Sequence, residues 1–183
     1  MTVYPARGSE PLVAVVRELE AHAAEAGWDR PATLFALVPS ADLIEREPGL
    51  AAVIDDPDGL TPVEQEAVDA ARFEVFLEGI AWPGEVAGAA AIIERVVLPP
   101  EAEADVPEDA AGAAAYAAQH PDRQEVRIVA AVLRSGETSC AMRFRAYDEE
   151  DKVLTGPDLV PGLVALLQQT FAPDESTNAG EGP

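Results

Sequence analysis

The chain has 183 residues, enough for one domain of ordinary size with a real core. Thirty-four acidic against twelve basic residues leave a net charge of -22, which repels phosphate backbones and anionic lipid and argues against nucleic acid and membrane as partners. The 48% apolar fraction argues against disorder of the whole chain, but much of it is alanine, so a limited set of larger side chains must build the core.

Residues 1–8 contain Pro5 and Gly8 without periodicity and predict a loose arm. From Ser9, a candidate cap, Leu12, Val15, Val16, Leu19, Ala23 and Ala26 recur at helical spacing, and Gly27 stands where a glycine ends a helix. The run Thr33–Val38, stopped by Pro39, predicts a buried strand, and Ser40 is placed to cap a short helix through Ile44. Asp55–Gly59 reads as a loop. Thr61-Pro62-Val63-Glu64 then orders a cap, a first-turn proline and an acid, which predicts a helix through Ala71. Phe73–Trp82 fits both periods, with a helix favoured that continues through or breaks near Gly79.

Further on, Ile92–Leu98 predicts a strand leaving the core at Pro99-Pro100, and Pro99–Pro107 an extended acidic linker. An alanine-rich helix from Glu108 to Gln119 ends at His120-Pro121. Val126–Arg134 and Thr138–Tyr147 form the clearest β signal, a hairpin turning at Ser135-Gly136. In its second strand Cys140, Met142, Phe144 and Ala146 share one face and Arg143, Arg145 and Tyr147 the other, which predicts one greasy side and one wet side. Asp158 is placed to cap a last helix carrying Leu163, Val164 and Leu167, and residues 173–183 predict a disordered tail. The fold class that follows is α+β: a single antiparallel sheet with helices on one face, in the order α-β-α-α-β-α-β-β-α, over residues 9–172.

Catalytic signatures are absent: no glycine-rich phosphate loop, no nucleophile elbow, no paired histidines at helical spacing and no cysteine pair. Cys140 alone cannot form an internal disulfide, and its apolar face predicts a buried inert thiol. Asp56, Asp58 and Gly59 match part of a calcium loop, but Ile54 and Gln65 stand where it needs acids, so a solvated turn is expected and no metal or cofactor is implied. The apolar run Leu12–Val16 is cut by Arg17 and Glu18, so no signal peptide is expected. No stretch approaches the ~18 apolar residues of a membrane helix, and the expected location is the cytoplasm.

Six of the twelve basic residues, Arg123, Arg127, Arg134, Arg143, Arg145 and Lys152, fall within thirty positions, a local reversal in an acidic chain. Arg127, Arg143 and Arg145, with His120 and Arg123 beside them, are the candidate binding residues, because guanidinium groups on one sheet face could hold an acidic or extended protein segment. The bland alternative is that they neutralise the protein's own carboxylates, Glu94 and Glu137 among them. His22 is expected at a boundary, and Trp28 and Trp82 are expected to staple loops to the core. The favoured function is a non-enzymatic protein-binding or adaptor domain. Two alternatives remain open, an unfamiliar enzyme using His120 with Asp122 or Glu125, and an acidic mimic of nucleic acid. The oligomeric state is not legible.

The segments Gly27–Leu37, Ile80–Pro83, Glu94–Pro100, His120–Arg127 and Leu154–Pro161 resemble an uncharacterised family of small acidic actinobacterial proteins, over most of residues 10 to 172. The resemblance implies an actinobacterial cytoplasmic protein and brings no assigned activity. The order of elements is also similar to the fold of secretion chaperones and their sensory-transduction relatives, a likeness of topology that assigns no function.

Overall fold

The structure, a computed structural model, describes residues 10–171; the N-terminal arm, the Ser9 cap and the C-terminal tail lie outside the described residues. Six strands form one antiparallel sheet in the order β2-β1-β3-β4-β5-β6. They are β1 (Ala32–Pro39), β2 (Leu60–Val68), β3 (Gly88–Val97), β4 (Gln124–Leu133), β5 (Thr138–Phe144) and β6 (Leu154–Gly156). The helices are α1 (Glu10–Ala26), α2 (Ser40–Arg46), α3 (Phe73–Glu78), α4 (Pro100–Glu103), α5 (Ala110–Gln119) and α6 (Pro161–Gln169). The class is therefore α+β with a single antiparallel sheet.

Helices cover both faces of that sheet, not one. On the first face, Leu12, Val15, Val16 and Leu19 of α1 pack on Phe35, Leu37, Ala90, Val129 and Ala131. On the second, Phe73 and Leu77 of α3 with Leu163 and Leu167 of α6 pack on Leu34, Ala91, Ile93, Ile128 and Cys140. The physical reason lies in β4, whose residues from Val126 to Val132 are all buried. A central strand enclosed on both sides reads as a continuous apolar run, and burying both of its faces contributes far more than leaving one wet. Alanines at 89, 90, 91, 130 and 131, all at 0% exposure, line the middle strands and let both helix layers sit close.

The hairpin forms where the residues demand it, with Gly136 at φ 104 and Leu133 N donating to Glu137 O at 2.8 Å. Its second strand stops at Phe144, and Arg145–Tyr147 turns into a 3-10 helix, so Arg145, Ala146 and Tyr147 leave the strand faces expected of them. The segment expected as a helix at residues 61–71 is instead the edge strand β2. Leu37 O accepts from Ala87 N on the β3 side, so Pro62, opposite Leu37, turns its missing N–H away from β1 and costs the ladder nothing there. Tertiary pairing overrides the local signal.

Smaller corrections follow the same logic. Part of the expected acidic linker winds into α4. Ser40 donates to or accepts from Thr61 Oγ1 at 2.9 Å rather than capping α2. Helix α6 starts at Pro161 after Val160, so Asp158 is not its cap, and the Leu154–Gly156 strand carried no period long enough to read. Helix α3 ends at Glu78 before Gly79, one of the two outcomes the pattern leaves open.

Candidate functional site

Helix α1 runs out at Ala26 because Gly27 takes φ 86 and Asp29 φ 64, a left-handed turn that sends the chain across the sheet into β1. Beneath this turn three charged residues stand side by side on the α1 face: Glu94 of β3 is paired in register with Arg127 of β4, and Arg127 with Arg143 of β5. Alternation puts them there; α1 and the turn after it bury Arg127 and Arg143 and leave Glu94 half-buried.

Arg143, 5% exposed, donates from Nε and Nη2 to the carboxylate of Glu20, which is itself 7% exposed on α1. Its Nη1 donates to Asp148 at 3.1 Å. The hydrogen bonds to Glu20 hold its pKa above the usual guanidinium value. Arg127, 2% exposed, donates from Nη2 to Gly27 O at 2.7 Å, at the end of the helix where the dipole favours a cation. Burial pulls its pKa down, and the nearby Glu94 charge opposes that pull. Trp28 stacks on the Arg127 guanidinium at 4.3 Å and lies 5.5 Å from that of Arg145, while its Nε1 donates to Asp148.

The guanidinium groups are therefore turned inward or paired, which corrects the expectation of a wet arginine face. Arg145 is bidentate to Asp29, at 2.9 and 3.0 Å, and also reaches Glu125. Arg123 is exposed and donates to His120 O at 3.2 Å. The His120 Nδ1 accepts from Asp122 N, and its ring meets Tyr116 edge-on at 5.6 Å. The imidazole so closes the end of α5 and makes no hydrogen bond to the carboxylate of Asp122 or Glu125. Cys140 lies on the opposite face of the sheet, where burial pushes its thiol pKa up. Trp82 stacks with Phe171 and donates to Thr170 Oγ1 at 2.8 Å, the stapling role expected of it. Asp56 Oδ1 accepts from Asp58 N in a local turn. Among the described residues no group of His, Cys, Asp and Glu is arranged to hold a metal, and no helix is long and apolar enough to cross a membrane.

Beside this network lies a cleft of about 330 Å³ between the C-terminal part of α1 and strands β1, β2 and β3. Its lining includes Ala26, Thr33, Glu64, Glu94, Arg30 and Arg127. A second cleft, about 440 Å³, continues it along α1 past Glu18 and Glu25, and the two share His22, Phe35 and Glu64. Glu94 uses its Oε2 to accept from the backbone N–H of Asp29 and Arg30, at 2.9 and 3.2 Å. Its Oε1 is 3.8 Å from Arg127 Nε and has no hydrogen-bond partner, and neither has Arg127 Nη1. A buried donor or acceptor without a partner costs about 1–3 kcal/mol and calls for a cause. Of the five candidate binding residues, only Arg127 lines this cleft. Glu64 and Ala26 line it too, and neither the helix-start pattern at residues 61–64 nor the apolar stripe of α1 gives a local sign of that.

No curated protein and no solved structure matches this chain. A family model described as PPA1309-like protein matches residues 12–172. The match takes in every described strand and helix except Glu10 and Pro11 of α1, and the chain belongs to the PPA1309-like protein family.

Proposed function

We propose that the chain is a non-enzymatic protein-binding domain whose site is the cleft along α1, floored by Arg127 and Glu94, rather than the outer surface of the hairpin. The observation that carries this reading is the pair of buried polar atoms, Arg127 Nη1 and Glu94 Oε1, left without partners in side chains that line a cleft. Fully paired, as Arg143 is, a buried guanidinium serves the fold; incompletely paired beside a cleft, it has a bond to offer an occupant. Among the described residues that line the cleft, no hydroxyl is hydrogen-bonded to a base, which favours binding over turnover.

The test is a plug. Ala26 is exposed on the cleft wall, outside the apolar cores, so Ala26→Trp fills the space and leaves the packing of α1 intact. Immobilised wild-type protein retains members of a pooled random octapeptide library, and the plugged variant does not. Equal retention by both, with both folded by circular dichroism, contradicts the reading.

A further inference from the structure

We infer that the occupant of the α1 cleft is an extended basic segment of polypeptide, bound through its main chain at Arg127 and Glu94 and through its cationic side chains at Glu18, Glu25 and Glu64. The inference rests on the reading of the cleft as the binding site. In an extended chain the N–H and C=O of one residue point to the same side, so a neighbouring strand meets them with one acceptor and one donor. Glu94 Oε1 and Arg127 Nη1, on side chains adjacent across the β3–β4 pair, supply one acceptor and one donor without partners. A carboxylate would satisfy Arg127 but face Glu94, and an ammonium the reverse; a main-chain residue satisfies both.

Charge selects the side chains. The second cleft is lined by the carboxylates of Glu18, Glu25 and Glu64, with no lysine or arginine among its lining residues. The Arg143 and Arg145 guanidinium groups are already committed to Glu20, Asp148, Asp29 and Glu125, and a chain of net charge -22 repels an acidic segment before contact. From Glu18 to Gly27 the helix advances about 14 Å, the span of about four residues of extended chain. Both unpartnered atoms are covered, so a segment reaching them must lift the turn at Asp29–Pro31 that Glu94 holds. That motion disturbs Trp28, which stacks on Arg127.

Fluorescein-labelled octapeptides of alternating alanine with lysine, serine or glutamate, titrated with the full chain and read by anisotropy, test the inference. The lysine peptide binds saturably and changes Trp28 emission in Trp82→Phe protein, and Ala26→Trp abolishes binding. Glu64→Lys, an exposed change on the edge strand, weakens binding about fivefold or more through the lost charge pair. If the serine or glutamate peptide binds as well as the lysine one, and Ala26→Trp still abolishes it, the basic class is wrong while the cleft stands. If no peptide binds, or the plug changes nothing, the inference and the cleft reading fall together. Binding of spermidine in place of the lysine peptide, at equal affinity and equally sensitive to Glu64→Lys, would overturn the main-chain contact.

Discussion

The Arg143–Glu20 pair is the clearest single point at which one substitution costs stability. Each is almost fully buried, and a bidentate pair of this kind roughly repays its desolvation, whereas removing one partner strands the other charge. Glu20→Ala is therefore expected to lower stability by about 3–5 kcal/mol in urea unfolding, and Glu20→Leu with Arg143→Met to recover much of the loss. Equal loss in the single and double variants would show that the loss does not come from a stranded charge. The carboxylates around Trp28 give a pH signature. The Trp28 N–H and then Arg143 lower the pKa of Asp148, and hydrogen bonding from Arg145 lowers that of Asp29. Both groups bind protons less readily folded than unfolded, so the stability they add is present above about pH 4 and is lost as pH falls through their depressed values. The urea midpoint should hold from neutral pH down to about 5 and decline below about 4, with a shallower decline in Asp148→Asn. An unchanged slope in that variant would remove Asp148 from the account.

Element packing explains what was and was not legible in the sequence. The hairpin was readable because Gly136 and alternation act locally, and α1 because its apolar stripe is long. Strand β2 was not, since Thr61, Pro62 and Glu64 carry a sound helix-start signal and only the unpaired edge of β1 overrides it. The buried state of Arg143 was hidden as well: alternation fixed its face, but nothing local tells that α1 covers that face and brings Glu20 to it. Gly88 illustrates the tightness of the middle strands. A Cβ there would run into the Val132 carbonyl and the Leu133 side chain, so Gly88→Ala should cost about 1–3 kcal/mol by overpacking. A thermal midpoint equal to that of wild type would contradict such close approach of β3 and β4.

For the molecule as a whole, the layered design closes the obvious surfaces and leaves the clefts beside α1. Both sheet faces carry helices, β6 is only three residues long, and β2 presents Pro62 and Glu64 along its free side. Short strands, proline and charge on an edge discourage pairing with further strands. Arg143 also borders a cleft, about 520 Å³ between α1 and β5, but its guanidinium is already committed there to Glu20 and Asp148; binding at Arg127 requires only a turn to lift. The most direct measurement is a ¹H–¹⁵N titration of the full chain with the alternating lysine–alanine octapeptide, following backbone amides and arginine Nε–H groups. The account predicts progressive shifts at the amides from Ala26 to Thr33 other than Pro31, at Glu64 and at Arg127. Shifts confined to Arg145, Arg123 and the end of the hairpin, or none at all, would contradict it.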